Sequence, residues 1–350
     1  MQIMSECKKL IEKLAIEHSL SLGEYKNLIE GYNEENAAFL AELAVEERKK
    51  HYSNSVYIRG LIEISNICKN NCFYCGIRRD NRDCERYRLT KEDILSCCDE
   101  GYTLGFRTFV MQGGEDSFFS DTVLCDIITN IKKKYPDCAI TLSLGERSYE
   151  SYKSLYDAGA DRYLLRHETA DKEHYSRLHP DNMSFDARMN ALADLKEIGF
   201  QVGCGFMVGS PYQTNEALAK DLKFIEEFKP QMCGIGPFIP HKATRFAEYS
   251  AGSVDFTCYL LSIIRLISPK ILLPATTALG SIEENGREKG ILAGANVVMP
   301  NLSPYESRKK YELYNNKLFG SAESAQAIND LKKRMNAIGY EIVVDRGDAK

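Results

Sequence analysis

The chain has 350 residues, a formal net charge of -5 at pH 7 and a hydrophobic content of 44%. This length allows one large domain or two ordinary ones with a substantial core. The lack of a strongly basic block argues against a nucleic-acid-binding surface, and the lack of a long apolar run argues against a membrane span or a signal peptide. We therefore expect a cytoplasmic protein.

The first 55 residues have a helical period, and a second rhythm begins near residue 57. From there, short runs rich in β-branched and apolar residues alternate with longer amphipathic stretches, as strands and helices do in α/β proteins. The candidate strands are 57–65, 106–112, 139–144, 162–168, 200–209, 232–238, 271–277 and 295–300.

The stretches between these strands carry helix signals. Thr90 is a candidate N-cap of one helix that Gly105 ends, and Gly199 ends another. Eight β/α units in a chain of this length predict an α/β fold of the (β/α)8 TIM-barrel type, with a doubly wound open sheet as the alternative. We predict a helical N-terminal extension over residues 1–55, and a barrel with C-terminal helices packed on it over residues 56–350.

A TIM barrel carries its chemistry at the carboxyl ends of its strands. Polar side chains stand near the ends of the candidate strands at Gln112, Ser143, Glu168, Thr276 and Thr277. These positions are therefore the first candidates for a functional site.

The chain contains 12 cysteines, which are not expected to form a disulfide framework in the cytoplasm. A buried free cysteine usually packs as a small hydrophobic residue. We interpret nine of them in that way: Cys7, Cys84, Cys97, Cys98, Cys125, Cys138, Cys204, Cys233 and Cys258. Cys84 fits this interpretation least well, because it closely follows the motif described next.

Cys68, Cys72 and Cys75 follow the first candidate strand with the spacing C-x3-C-x2-C. A structural zinc site needs a fourth Cys or His at short range. His51 and Cys84 leave such a ligand open, although neither gives a usual zinc spacing. The alternative is a 4Fe–4S cluster with one iron that has no protein ligand, and an open coordination site is typical of a catalytic metal centre.

The three-cysteine motif, with Tyr74 before the last cysteine and a β/α barrel around it, resembles that of the radical S-adenosylmethionine (SAM) enzymes. The resemblance implies that Cys68, Cys72 and Cys75 bind a 4Fe–4S cluster. It also implies that the amino and carboxylate groups of SAM bind the open iron, and that one electron from the cluster releases a 5′-deoxyadenosyl radical.

Further residues match the same superfamily. The string "MQGGE" (111–115) resembles its GGE motif, in which Gly113 and Gly114 allow the backbone to approach SAM closely. Glu168 would bind the ribose or the ammonium group of SAM, and the guanidinium of Arg188 suits a carboxylate. For the two charged residues the alternative is a surface ion pair.

Longer strings resemble the maturases that build the active-site cluster of FeFe-hydrogenase, over about residues 50–315. These strings are "YCGIRRDN" (74–81), "RYLLRHETAD" (162–171), "GIGPFIPH" (234–241), "PATTALG" (274–280) and "ANVVMPN" (295–301). Biotin synthase and methylornithine synthase share the barrel and the cysteine motif, but the "HETA" and "GPFIPH" strings favour the maturases.

This closer resemblance implies a function and a set of site residues. The radical would act on an iron–cysteine complex with carbonyl and cyanide ligands, supplied by a partner maturase, while an electron donor reduces the cluster. The residues implied to line SAM are Tyr74, Gln112, Gly113, Gly114, Ser143, Glu168, Arg188, Met232 and Ile239. The residues implied to line a substrate cavity are Thr141, Arg166, Thr276, Thr277, Met299 and Tyr311.

The C-terminal region departs from part of the family. Some members hold a second iron–sulfur cluster there, but no cysteine follows Cys258 in this chain, and "KLFGSAESAQAIND" (317–330) occupies the region. We therefore expect a single cluster, with about four iron atoms per chain.

Two other functions stay open at this point. One is a radical SAM reaction on an organic substrate, such as the carbon-skeleton rearrangement of methylornithine synthase. The other is a non-catalytic metal-binding scaffold, which would bind a cluster without cleaving SAM. The formation of 5′-deoxyadenosine separates the scaffold from either enzyme.

Overall fold

Parallel strands that alternate with helices form the centre of the molecule, for which a computed structural model describes residues 2–318 and 324–350. The strands are β1 (Ser55–Ile58), β2 (Gly60–Ser65), β3 (Thr108–Gly113), β4 (Ala139–Ser143), β5 (Arg162–Leu164), β6 (Gln201–Cys204), β7 (Met207–Val208), β8 (Met232–Cys233), β9 (Gly236–Pro237), β10 (Val297–Val298) and β11 (Glu341–Val343).

The helices surround these strands. They are α1 (Gln2–Glu17), α2 (Leu22–Glu30), α3 (Glu34–Tyr52), α4 (Lys91–Thr103), α5 (Asp121–Lys134), α6 (Tyr149–Asp157), α7 (Lys172–Leu178), α8 (Phe185–Ile198), α9 (Asn215–Phe228), α10 (Val254–Ile267), α11 (Thr277–Ile282), α12 (Gly286–Leu292), α13 (Tyr305–Lys310) and α14 (Ile328–Ala337), with a 3-10 turn at Ala325–Ala327. Over the described residues, none of these helices is long and apolar enough to cross a lipid bilayer.

The strands close on themselves. One parallel sheet has the order β2-β3-β4-β5-β6-β8, and parallel bridges continue it from β8 to Leu272 and from Pro274 to Val297 in β10. β1 pairs with β10, and Leu61 in β2 pairs with Asn301, so the parallel order returns to its starting point. The predicted α/β fold of the TIM-barrel type is therefore confirmed.

The later strands are more broken than the sequence predicts. Residues 200–209 and 232–238 each form two short strands. Residues 271–277 pair through Leu272 and Pro274, and α11 begins at Thr277. Pro274 has no N–H group to donate to a strand ladder, which explains the weak pairing at this point.

Local signals set the helix ends where the sequence predicts them. The Thr90 side chain accepts a hydrogen bond from the Asp93 backbone N–H at the start of α4, and Ser184 caps α8 in the same way. Gly199 ends α8 in the left-handed conformation, with a φ of 107°. Because α8 follows β5 in the chain, its first turn lies at the carboxyl end of the barrel, where a functional side chain is expected.

The N-terminal helices lie against the outside of the barrel. α2 packs along α9, and α3 packs along α10. Leu14, Leu28 and Leu40 belong to the same buried hydrophobic cluster as Val202 in β6. The division of the chain at residue 55 stays a prediction, because the helices and the barrel share this core.

The C-terminal residues 341–350 cover the amino end of the barrel. Arg162, the first residue of β5, is fully buried, and its Nη2 lies 2.5 Å from Asp348 Oδ1. Its Nη1 donates to Thr108 Oγ1 at 2.9 Å, and Gln201 Nε2 donates to Asp348 Oδ1 at 3.0 Å. The tail therefore ties together the first residues of three strands, on the side opposite the expected site.

Candidate functional site

The loop with the three cysteines follows β2 at the carboxyl end of the barrel. Phe73 N donates to Leu178 O at 3.0 Å, and Gly76 N donates to Leu313 O at 2.8 Å. The loop is thus attached both to the end of α7 and to the segment after α13. All three cysteine side chains are half-buried, so the loop holds them at the mouth of the barrel.

The three thiols lie close enough to affect one another. Burial raises the pKa of Cys68, and burial together with the Cys68 thiol raises the pKa of Cys72 to about 12. Burial, followed by the other two thiols, raises the pKa of Cys75 well above its usual value. Bound metal ions stabilise such a set as thiolates, because they replace the protons and compensate the negative charge. The donor set therefore fits an iron–sulfur cluster.

Over residues 2–318 and 324–350, no fourth ligand of the zinc type joins the three cysteines. His51 Nε2 lies 3.3 Å from Glu47 Oε1, and Cys84 Sγ accepts a hydrogen bond from Asn66 Nδ2 at 3.5 Å. Among the described residues, no three His, Cys, Asp or Glu side chains converge as the ligands of one metal ion would. A 4Fe–4S cluster is compatible with this arrangement, because its cysteines bind different iron atoms and lie farther apart.

A glycine pair at the end of β3 lies directly against the cysteine loop. A Cβ atom on Gly114 would come within 2.3 Å of Ile67 O and 2.7 Å of Cys68 Cβ, so only glycine allows this approach. Glu115 N points at Cys68 Sγ at 3.4 Å. Of the two predicted glycines, Gly114 is thus brought next to Cys68, while Gly113 lies against Ser65 and Leu144.

Glu168 has the clearest signs of a ligand-binding residue. Its side chain is buried and its backbone has a φ of 64°, which is uncommon for a residue other than glycine. Its Oε2 makes no hydrogen bond within the described residues, and the Nη1 of Arg166 lies 4.0 Å away. A buried carboxylate oxygen is costly unless a donor reaches it, and the hydroxyl or ammonium groups of SAM provide suitable donors.

Arg188 is held by protein oxygens in this structure. Its Nε donates to Glu146 Oε1 at 2.5 Å, and its Nη1 donates to Arg166 O at 2.6 Å. The guanidinium is buried at the carboxyl end of the barrel, as predicted, but a SAM carboxylate would compete there with Glu146. Glu146 was not predicted from the sequence, because an acidic residue in a loop carries no signal of its own.

Tyr74, Gln112 and Ser143 lie around the same mouth. Tyr74 Oη and His179 Nε2 lie 3.2 Å apart. Burial, followed by the Glu168 carboxylate, raises the pKa of Tyr74 well above its usual value. Gln112 and Ser143 pair across β3 and β4, so both stand at the same height at the strand ends.

Met232 is placed differently from the other residues of the SAM-lining set. Its Sδ accepts a hydrogen bond from Arg59 Nη1 at 2.9 Å, and it packs with Tyr57 and Leu272. This surrounding is nearer the amino end of the barrel than the cysteine loop is. Ile239 follows β9 and is half-buried, and its role stays a prediction.

The predicted cavity residues include two buried hydroxyl groups without hydrogen-bond partners. Thr141 Oγ1 and Thr276 Oγ1 are both in this state within the described residues. Arg166 lies at the same end and donates to the carbonyl groups of Gly234 and Phe206 at 2.9 and 3.1 Å. Buried polar atoms that lack partners favour a polar ligand in the barrel interior.

Three cavity residues remain, each in a different surrounding. Tyr311 is buried and its hydroxyl accepts a hydrogen bond from Gln112 Nε2 at 3.3 Å. Met299 packs against the small hydrophobic cluster that includes Met232, and Thr277 begins α11. The cavity set is thus spread along the barrel axis rather than gathered at one height.

Two charged residues in the barrel interior were missed by the sequence analysis. Glu63 in β2 is fully buried, and its Oε1 is paired with the Nζ of Lys317. A carboxylate inside the apolar run "GLIEIS" is a signal that would have found Glu63. No comparable signal marks Lys317, which enters the barrel from a C-terminal segment.

The region of the optional second cluster is only partly described. Residues 319–323 of the segment 317–330 lie outside the described residues. Cys258, the last cysteine of the chain, lies in α10, where burial raises its pKa to about 12. The expectation of a single cluster therefore rests on the sequence.

Comparisons with known proteins agree with this geometry. A model of the radical SAM superfamily matches residues 62–225. The [FeFe] hydrogenase maturase subunit HydE of Thermotoga maritima is 42% identical over 320 residues, which cover 91% of this chain and 90% of that protein. The 3-methylornithine synthase of Methanosarcina acetivorans is 27% identical over 335 residues, 94% and 92% of the two chains. The crystal structure of methylornithine synthase (PylB) superposes with a TM-score of 0.83 at 25% identity and covers 95% of this chain and 97% of that one.

Proposed function

The chain belongs to the radical SAM superfamily and, within it, to the family of the FeFe-hydrogenase maturase HydE, and from this membership we propose that it acts in assembling the active-site cluster of FeFe-hydrogenase. It is a radical SAM enzyme whose cofactors are a 4Fe–4S cluster and SAM. We propose that its substrate is an iron–cysteine complex with carbonyl and cyanide ligands. A partner maturase that supplies this complex and a separate electron donor belong to the same proposal.

The observation that carries the proposal is the 42% identity to HydE, because it extends over 91% of this chain and 90% of that protein. The site is consistent with it. Within the part of the chain that the structure describes, the buried hydroxyl groups of Thr141 and Thr276 have no hydrogen-bond partner, and Arg166 adds one positive charge nearby. Donors and one cation suit a small anionic complex better than an apolar substrate.

Each part of the site has a role in this proposal. The cluster, when bound, supplies the electron that cleaves a carbon–sulfur bond of SAM and yields methionine and the 5′-deoxyadenosyl radical. Cys68, Cys72 and Cys75 hold the cluster, and Gly114 lets the β3 turn approach it. Glu168 receives donors from SAM, and the barrel wall keeps water away from the reacting groups.

A second candidate is a carbon-skeleton rearrangement of an amino acid, favoured by the TM-score of 0.83 to methylornithine synthase. A diamino acid carries two ammonium groups, and its site needs carboxylates to receive both. In the barrel interior Lys317 occupies only one oxygen of Glu63 and leaves Oε2 open, while Glu168 is assigned to SAM in this proposal. One open carboxylate cannot receive two separate ammonium groups, which favours the maturase over the second candidate.

The experiment starts with the anaerobically reconstituted protein. With SAM and dithionite it should form 5′-deoxyadenosine and contain about four iron atoms per chain. Cys72→Ser should abolish this product, because the cluster loses a ligand. Cys125→Ser is the matched control, since Cys125 in α5 contacts Ser154 on the outside of the barrel. Product formation by Cys72→Ser would remove the cluster assignment.

A second measurement separates the two candidates. The protein is added to a hydrogenase maturation mixture that lacks only its own maturase of this family, and hydrogen evolution is measured. In parallel, L-lysine, the straight-chain isomer of 3-methylornithine, is offered as substrate and the products are analysed by mass spectrometry. Hydrogenase activation supports the proposal. Conversion of lysine without hydrogenase activation would replace it by the second candidate.

A further inference from the structure

The barrel interior contains a buried ion pair that none of the roles above uses. Glu63 in β2 is fully buried, and Lys317 is 7% exposed. Lys317 Nζ binds Glu63 Oε1 and donates to Tyr311 O at 2.9 Å. The pair joins β2 to a segment 254 residues later in the chain.

The pair lies at the same height as the cofactor-lining residues. Glu63 in β2 pairs with Gln112 in β3, which in turn pairs with Ser143 in β4. Gln112 Nε2 donates to the Tyr311 hydroxyl at 3.3 Å, and Lys317 Nζ lies 4.7 Å from the centre of the Tyr311 ring. Glu63 is therefore placed where the proposed SAM-lining and substrate-lining residues meet.

One oxygen of this carboxylate is left open. Oε1 is satisfied by Lys317, whereas Oε2 is buried and makes no hydrogen bond within the described residues. An ion pair that only stabilised the fold would be weakened by such an oxygen, because a buried charged oxygen without a donor is costly. Lys317 thus satisfies one oxygen of the carboxylate and leaves the other, Oε2, as an acceptor for a second donor.

We infer that Glu63 Oε2 binds the amino group of an amino-acid portion of the substrate, and that Lys317 is a positioning residue that holds the carboxylate for it. The inference rests on the proposed function of this same site and adds the substrate group that is recognised. An amino group provides N–H donors that match the open acceptor, whereas a carbonyl, cyanide or carboxylate group provides none.

Two probes test the amino group directly. S-methyl-L-cysteine carries an amino group, and 3-(methylthio)propionate is the same molecule without it. Both are thioethers, so neither binds iron as a thiolate. Their affinities for the reconstituted holoenzyme in saturating SAM are measured by equilibrium dialysis without reductant. We expect the wild-type protein to prefer the amine-bearing probe at least tenfold.

Glu63→Gln is the main variant. The glutamine side chain has the same size and keeps one oxygen that accepts from Lys317. It places an N–H donor at the position where the Oε2 of glutamate is an acceptor. We expect the preference for the amine-bearing probe to fall to about one, with little change for the other probe. Glu47→Gln is the matched control, because Glu47 is a buried glutamate paired with a lysine, Lys50, on α3 outside the barrel. Its probe preference should equal that of the wild type.

The remaining outcomes overturn the inference. The first is a wild-type protein that binds both probes equally tightly. The second is a Glu63→Gln variant whose affinities for the two probes fall by the same factor. The third is a Glu63→Gln variant whose affinity for SAM falls while its preference between the probes is unchanged. Hydrogenase activation is measured separately on the wild-type protein. A failure there with an intact probe preference would count against the proposed maturase function and not against the role of Glu63.

Discussion

Arg188 is the residue whose assignment the structure changes most. Its guanidinium is buried and engaged by Glu146 and by the carbonyl of Arg166, so it is not simply an open clamp for SAM. We expect Arg188→Ala to weaken SAM binding by about 2 kcal/mol or more, a factor of about 30 in Kd, because a charge-assisted contact in a closed site is lost. The Kd is measured by equilibrium dialysis of the reconstituted protein.

The comparison variant is Arg177→Ala, which removes an exposed arginine on α7 that pairs with Glu173. Its SAM affinity should stay at the wild-type value. Arg188→Lys should recover part of the loss, since it restores the charge without the planar fork. If Arg188→Ala binds SAM as tightly as the wild type, then the residue serves only to hold Glu146.

The sequence singled out Arg188 and Glu168 because Arg188 opens a predicted helix and Glu168 ends a predicted strand, although β5 itself ends at Leu164; their roles stay predictions. It could not predict their partners. Glu146, Glu63 and Lys317 are joined to the site by the closure of the barrel, which brings together residues far apart in the chain. Pairings of this kind depend on three-dimensional packing and leave no local pattern.

The turn after β3 is the element that most restricts the cysteine loop. We expect Gly114→Ala to reduce the iron content after reconstitution and to destabilise the protein by about 2 kcal/mol, because the added Cβ forces the turn and Cys68 apart. Gly23→Ala is the matched control, since a Cβ at Gly23 in α2 meets no atom within 4 Å. Full iron content in Gly114→Ala would show that the loop adjusts without loss.

At the level of elements, periodicity predicted most of the architecture. The strands β3 and β4 were predicted closely, because each is a mostly buried run, whereas the predicted strand 57–65 is divided at Arg59 into β1 and β2. The late strands were predicted as too long. Residues 271–277 contain Pro274 and a helix start at Thr277, and hydrophobic pattern alone does not distinguish a full strand from two bridged residues.

The whole barrel depends on its C-terminal tail. Asp348→Asn removes the charge beside the fully buried Arg162, and we expect a loss of about 2 kcal/mol in the free energy of unfolding, below the usual value for a buried pair because Asp348 is partly exposed. Burial alone would raise the pKa of Asp348, but Arg346 and Arg162 lower it to about 2. The stabilisation is thus complete above about pH 4 and is lost as the pH falls towards 2.

Denaturant unfolding at pH 7 measures the effect, with Asp330→Asn as the control. Asp330 on α14 is exposed and pairs with Lys333 on the same helix, so its change should stay within about 0.5 kcal/mol. Equal free energies of unfolding for Asp348→Asn and the wild type would show that this contact of the tail does not stabilise the barrel.

In the described part of the chain, the C-terminal tail covers the amino end of the barrel, which leaves the carboxyl end as the entrance. Asp348 in the tail is bound to Arg162 at this amino end. Thr141 and Ser143 point to the same face of β4, and Thr141 lies two residues farther from the carboxyl end. If Thr141 binds the substrate and SAM binds at the cysteine loop, as proposed above, the substrate must enter before SAM, and its product must leave after the fragments of SAM. The proposed function then predicts an ordered turnover, in which the product passes to the next protein at this entrance.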